Sequence, residues 1–172
     1  MARIGLTLPR SEDLPRKEIV RVVQQAEALG YESVWVGESW GRDGFTWLSQ
    51  LACHTQTIKL ATGITTVYSR TPALIAQTVA SLDEISDGRV ILGLGTSGPI
   101  VIENWHGVPF DRPLRRTREY IEIVRLILSG ERVNYTGQIF HLKGFRLPFT
   151  PVRKTVPIYV ASLGPRNLRL TG

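Results

Sequence analysis

Arg89-Val90-Ile91-Leu92-Gly93-Leu94-Gly95-Thr96-Ser97-Gly98-Pro99 is the stretch whose reading decides the fold. Its first half is an apolar run of strand length. Its second half, Gly93 to Gly98, fits the G-x-G-x-x-G pattern of dinucleotide-binding turns. Glycines that follow a buried strand let backbone amides come close to an anion, so the pattern bears directly on the cofactor. A Rossmann unit, however, needs that turn to open a helix at once and needs an acidic residue about 20 positions later on a second strand. Here Pro99 to Asp111 reads as an irregular insertion containing Asn104, Trp105, Gly107 and Pro109, and the residues about 20 positions on, Arg115 to Glu119, lie in a helical pattern. The expectation is a glycine-rich loop at the end of a strand in a different α/β fold.

Outward from this stretch the hydrophobic period alternates between short apolar runs and helical stripes, the mark of repeated β-α units. Five units can be counted. Strands are expected at Ile4 to Leu8, Ser33 to Gly37, Ile58 to Thr65, Arg89 to Leu94 and Ile158 to Ala161. Helices are expected at about Pro15 to Leu29, Thr46 to His54, Pro72 to Ser86 and Pro113 to Leu128, with another starting at Gly164-Pro165. On the first helix Ile19, Val22, Val23, Ala26 and Leu29 form one apolar face. Pro72 suits a first helical turn, and Gly30, Asp87-Gly88 and Gly130 suit stops. Val133 to Leu142 alternates around Thr136-Gly137 and reads as a small β-hairpin outside the main sheet. Apolar strands each followed by a helix imply a parallel sheet covered by helices, either an open doubly wound sheet or part of a (β/α)8 barrel.

The 172 residues, 42% of them hydrophobic, can bury a core and predict one domain. The net charge of +6 comes from 21 Lys and Arg against 15 Asp and Glu. The basic residues are scattered, apart from Arg112, Arg115, Arg116 and Arg118, which read as a solvated helix start or an anion-facing patch rather than a nucleic-acid groove. No partner of that class is expected. The single Cys53 excludes an internal disulfide, fits a reducing compartment and reads as a small buried side chain on a helix. No apolar stretch approaches the roughly 20 residues that span a bilayer, and Met1-Ala2-Arg3 leads straight into a strand, so the expectation is a cytoplasmic protein without membrane contact.

Several residues are candidates for chemistry. Gly37-Glu38-Ser39-Trp40-Gly41 matches the G-x-S-x-G nucleophile elbow of α/β-hydrolases, but only 36 residues precede it and Gly41 to Gly44 reads as loop where a helix should start. Glu38 is the more informative member. A carboxylate at the C-terminal end of a parallel strand lies at the face where such folds bind ligands, though capping or loop bonding would equally employ it. Gly63-Ile64-Thr65-Thr66 ends the third strand with hydroxyls, and Gly63 suggests a bulge or a close approach to something flat. Arg70 could bind an anion or tie its loop to a nearby carboxylate. His54, His106 and His141 lack metal-ligand spacing, so no metal is expected; His106, beside Trp105, is the one histidine with a catalytic candidacy. Trp40 and Trp47 flank the second β-α loop and could wall an apolar ring site or pack in the core.

Thr62 to Pro72 (TGITTVYSRTP) followed by Ser81 to Gly95 (SLDEISDGRVILGLG) resembles the luciferase-like monooxygenase superfamily, nearest the branch that uses the deazaflavin coenzyme F420. Gly37-Glu38, Trp105 to Pro113, the Tyr135 to Leu142 hairpin and Tyr159 to Gly164 extend the resemblance across the chain. It implies a (β/α)8 TIM-type barrel with the coenzyme at the C-terminal strand ends, a non-proline cis peptide at Gly63-Ile64 behind the deazaflavin ring, and Glu38, Thr65 and Thr66 along the same wall. Gly95, Thr96, Ser97 and Gly98, with Ser162, Leu163 and Gly164, would hold the coenzyme's polar parts, including its phosphate.

The implied reaction is hydride transfer between 5-deazaflavin and a small organic substrate, the protein supplying orientation and proton handling through Glu38 and His106. A deazaflavin does not activate oxygen as a flavin does, so the branch would act as a dehydrogenase or reductase. An FMN-dependent monooxygenase of the same superfamily is the near alternative, and a non-catalytic, self-associating half-barrel is the rival. Two departures bear on substrate: sugar-phosphate and alcohol dehydrogenases of the branch place a glutamate directly after the strand-four glycines, where this chain has Gly98-Pro99 with Glu103 further on, and they carry a strand-two histidine where it has Ser39-Trp40. The length corresponds to about five units of such a barrel in a single domain, and an open edge at the fifth strand would favour a homodimer or other self-association.

Overall fold

The computed structural model describes residues 3–8, 14–38 and 41–172. Five parallel strand positions appear in chain order. β1 (Gly5–Thr7) pairs with β2 (Ser33–Val36), and β2 with β3 (Lys59–Thr62). β3 and its short continuation β4 (Thr65–Thr66) both pair with β5 (Val90–Gly95), whose other side takes β8 (Ile158–Val160). This sequential order contains no reversal, whereas a doubly wound sheet must reverse at a switch point. The curvature agrees. On the concave face the rings of Trp35 and Tyr159, on β2 and β8, meet edge to face with centroids 5.4 Å apart, although three strand spacings of a flat sheet would separate their backbones by about 14 Å. The sheet is a segment of a barrel.

The helices α1 (Arg16–Ala28), α2 (Gly44–Ala52), α3 (Pro72–Ile85) and α5 (Pro113–Leu128) cover its convex side. The core lies between: Val34, Val36, Leu60, Leu92 and Leu94 from the strands meet Val23, Leu48, Leu51, Ile75, Val79, Ile123 and Ile127 from the helices. The buried residues of α1, Ile19, Val23 and Ala26, recur at the three- and four-residue spacing that one helical face requires. Leu29 departs from its expected place. It follows the last residue of α1 at the C-cap, leaves the apolar stripe and is exposed. Cys53 is likewise exposed, contrary to the expected buried site, because α2 ends there and the C-cap position faces solvent.

Three polar ties fix the N-terminal ends of the strands. Glu27 on α1 accepts the amides of Gln56, Thr57 and Ile58 just before β3. Arg89 donates to the carbonyls of Ala52, Thr55, Ile58 and Ser86. Buried Asp83 accepts from the Val90 amide and from Arg153, joining α3, β5 and the segment leading into β8.

The third strand carries the irregularity that its glycine suggested. Ala61 pairs with Ile91 and Thr65 with Leu94, so four steps along β3 and β4 match three along β5. The Gly63–Ile64 peptide inside this bulge is cis. Directly beside it, a Cβ at Gly93 would overlap the Thr62 carbonyl oxygen, and Thr62 Oγ1 exchanges two 2.8 Å hydrogen bonds with the amide and carbonyl of Gly93. At Gly95 the neighbouring atom is Ile64 Cδ1, 3.0 Å from a Cβ built there, while Gly98 has open space around it. The first two glycines of the G-x-G-x-x-G stretch therefore serve strand packing.

The stretch that follows needs a correction. Pro99 to Asp111 is not wholly irregular: α4 (Pro99–Asn104) starts at once, with Gly98 as its N-cap. That removes one of the two grounds for setting aside a Rossmann unit, and the sequential, curled sheet replaces it. The hairpin also differs from expectation. β6 (Val133–Thr136) and β7 (His141–Phe145) are joined by residues 137–140 rather than turning at Thr136-Gly137, and the pairing is irregular between Val133 and Tyr135. Buried Glu119 on α5 sets this connection, accepting the amides of Gln138, Ile139 and Phe140 at 2.9–3.1 Å. α6 (Pro165–Thr171) completes the described elements, among which no helix is long and apolar enough to cross a membrane.

Gly93→Ala should destabilise the protein by about 3 kcal/mol or more, or prevent folding, while Gly98→Ala should stay within about 0.5 kcal/mol, both read by urea unfolding. Burial acts to raise the Glu119 carboxyl, but the three amides outweigh it and hold it below the ordinary carboxylate value. Its contribution is therefore present at neutral pH and fades as pH falls below about 4.5. Glu119→Ala should cost about 2–4 kcal/mol at pH 7, and the gap between wild type and variant should narrow towards pH 3.

Candidate functional site

The C-terminal ends of β2, β4 and β5 open on one cavity of about 400 Å3, a size suited to a small molecule or a coenzyme ring. Glu38 enters it from the end of β2. Ile64 and Thr66 come from the bulged third strand, Ser69 and Arg70 from the loop before α3, and Ser97, Val101, Trp105 and His106 from the segment that follows β5. An apolar wall thus faces hydroxyls and charges.

Arg70 organises the polar half. Its Nη1 donates to Glu38 Oε1 at 2.6 Å and Oε2 at 2.7 Å, and its Nη2 pairs with Asp43 Oδ2. Thr65 Oγ1 donates to Glu38 Oε2 at 2.5 Å. Asp43 is also the N-cap of α2, accepting the Thr46 amide at 2.7 Å, so the network links β2, β4, α2 and α3. Beneath it the fully buried Tyr120 on α5 donates to the Arg70 carbonyl at 3.1 Å. The Arg70 guanidinium stands 5.1 Å from the centre of the Phe45 ring, a cation–π distance. Burial acts to lower the Arg70 pKa, but the hydrogen bond and charge of Glu38 and the charge of Asp43 raise it above the usual arginine value. Burial similarly pushes the Asp43 carboxyl upward and is outweighed by its Thr46 and Arg70 contacts, which hold it below the ordinary range.

The expected site residues divide accordingly. Glu38, Ile64, Thr66, Ser97 and His106 meet at the cavity. Thr65 is buried behind Glu38, and Gly63 packs against Trp35 with a Cβ position 3.2 Å from that side chain's own Cβ. Gly95 supports the wall through Ile64. The Thr96 carbonyl accepts a 3.4 Å bond from Thr66 Oγ1, and Gly98 caps α4. Ser162, Leu163 and Gly164 are not among the lining residues described; Leu163 is 92% exposed on the loop before α6, where Ser162 contacts Thr171. Ser39 and Trp40 lie outside the described residues, so the elbow motif and one of the two flanking tryptophans are not placed. Trp47 lies on α2, with the Arg42 guanidinium 5.1 Å from its ring centre. Glu103 accepts the Phe110 amide at 3.2 Å and does not line the cavity. Among the described residues no cluster of three His, Cys, Asp or Glu could hold a metal.

Asp43, Ser69, Val101 and Trp105 were missed as site residues. Asp43 had a readable signal, a capping residue immediately before the apolar run of α2. Ser69 is brought in by the loop before α3, and Val101 and Trp105 by the short α4 and its C-cap.

The family model for luciferase-like monooxygenase matches residues 2–172. The chain belongs to that family. A Mycobacterium tuberculosis protein provisionally named a coenzyme F420-dependent oxidoreductase is 38% identical over 98% of this chain and 52% of its own length. The 5,10-methylenetetrahydromethanopterin reductase of Archaeoglobus fulgidus is 36% identical over 92% of the chain and 47% of its own length. Among solved structures, the coenzyme F420 dependent tetrahydromethanopterin reductase of Methanopyrus kandleri superposes with a TM-score of 0.87 at 27% identity, covering 98% of this chain and 52% of that one. This luciferase-like chain spans about half the length of the curated relatives it matches.

Proposed function

We propose that the protein is a coenzyme F420-dependent oxidoreductase acting on a small organic substrate. The observation that carries this reading is the cavity at the C-terminal strand ends, in a chain whose curated relatives include F420-dependent enzymes. The residues fit such a coenzyme. Ile64 offers an apolar surface to a flat ring, and Thr66 and Ser97 offer hydroxyls to its polar edges. When bound, the deazaflavin accepts or gives the hydride.

The chain's own part is orientation and proton handling. Glu38 is fixed in direction by Arg70 and Thr65, and His106, which also lines the cavity, is a group able to exchange a proton. Trp105 and Val101 add apolar surface to the lining. Gly98-Pro99 stands where sugar-phosphate and alcohol dehydrogenases of the resembling branch carry a glutamate, so their substrates are not assigned to this protein.

Titrating coenzyme F420 and FMN separately into the protein, followed by fluorescence, tests the reading. F420 should bind at micromolar concentration or below, with FMN at least about tenfold weaker, a gap of about 1.4 kcal/mol. A preference for FMN would make it an FMN-dependent member of the family. Binding of neither would leave a non-catalytic barrel segment.

A further inference from the structure

Among the described residues the cavity wall contains two carboxylates, those of Glu38 and Asp43, and the Arg70 guanidinium contacts both. We propose that Arg70 is a positioning residue that keeps the Glu38 carboxylate turned into the wall and charge-balanced, so that an anionic coenzyme can occupy the cavity. This rests on the reading of the cavity as the F420 site.

Three observations support it. Both Glu38 oxygens are engaged by Arg70 Nη1, and one also takes the Thr65 hydroxyl, so the carboxylate is held from the wall side. The side chains of Glu38 and Arg70 are 16% and 18% exposed, so water compensates an unpaired charge there only poorly. The fork itself is held independently of Glu38: Asp43 takes Nη2, Phe45 lies beneath the guanidinium, and Tyr120 fixes the main chain at Arg70. A guanidinium fork reaches two carboxylates at once, whereas an ammonium cannot present that planar geometry.

Among the described residues, the charged and titratable groups around Glu38 are Arg70 on the loop before α3, Asp43 at the start of α2, His106 on the cavity lining and Tyr120 on α5. Removing Arg70 would leave Glu38 and Asp43 facing the cavity without a counter-ion. A coenzyme carrying phosphate and carboxylate groups would then be repelled by Glu38. Neutralising Glu38 at the same time should relieve most of that repulsion. A purely structural role for Arg70 would give no such relief.

The test is binding of oxidised coenzyme F420 to the wild-type protein and to Arg70→Met, Arg70→Lys, Glu38→Gln and the double variant Glu38→Gln/Arg70→Met, with melting curves to verify folding. Arg70→Met should bind about tenfold more weakly than wild type, Arg70→Lys between the two because it keeps the charge and loses the fork, and the double variant within about threefold of Glu38→Gln. Should Arg70→Met not fold, Arg70→Gln with and without Glu38→Gln gives the same comparison. Wild-type affinity in folded Arg70→Met, or a double variant as weak as the single one, overturns the proposal while leaving the F420 reading intact. Wild-type protein that does not bind F420 overturns the reading and the proposal together.

Discussion

The close approach of β5 to Thr62 at Gly93 is the constraint on which the rest of the site depends. No side chain fits between these strands at that level, and the Thr62 hydroxyl turns the gap into a pair of hydrogen bonds to the Gly93 backbone. Pinned there, the third strand accommodates its extra residue one step later, at the cis Gly63–Ile64 peptide, and resumes pairing at Thr65 and Thr66. Ile64 and Thr66 then line the cavity, and Thr65 reaches Glu38 from behind. A packing demand in the sheet thus places two residues of the cavity wall and the hydroxyl that supports a third.

Charge then finishes what packing begins. Arg70 joins the end of β2, the start of α2 and the loop before α3, and Tyr120 extends the support to α5. The convergence of four elements on one guanidinium gives the mouth a single arrangement of acid, base and hydroxyl groups. One residue before Tyr120 on α5, Glu119 does comparable work for the hairpin by gathering three amides on a buried carboxylate. Both are cases of a buried charge retained because every strong contact it needs is supplied.

Much of the barrel was legible because its signals are local. The alternation of apolar runs and helical stripes gave all five β-α units, and Pro72 and Pro113 start α3 and α5 as proline at a first helical turn should. Gly63 pointed to the bulge and Glu38 to the ligand face. What escaped was set by partners distant in sequence. The role of Gly93 depends on Thr62, 31 residues away, and the hairpin connection on Glu119, about 20 residues away. Arg70 was open between anion binding and tying its loop until Glu38 and Asp43 were seen to occupy it. The short α4 was masked by its Pro-Ile-Val-Ile-Glu-Asn composition, too brief to display a helical period.

The G-x-G-x-x-G stretch accordingly has two jobs: Gly93 and Gly95 admit neighbouring strands, while Ser97 and Gly98 carry the chain across the cavity mouth into α4. Its place at the end of a barrel strand, rather than at the start of a Rossmann unit, is what directs the proposed ligand from a nicotinamide dinucleotide to a deazaflavin. A crystal structure of the protein with oxidised coenzyme F420 measures this most directly. The account predicts the ring against the Gly63–Ile64 peptide, beside Ile64 and Glu38, with the phosphate near Gly95 to Gly98. A ring bound away from the C-terminal strand ends would contradict it.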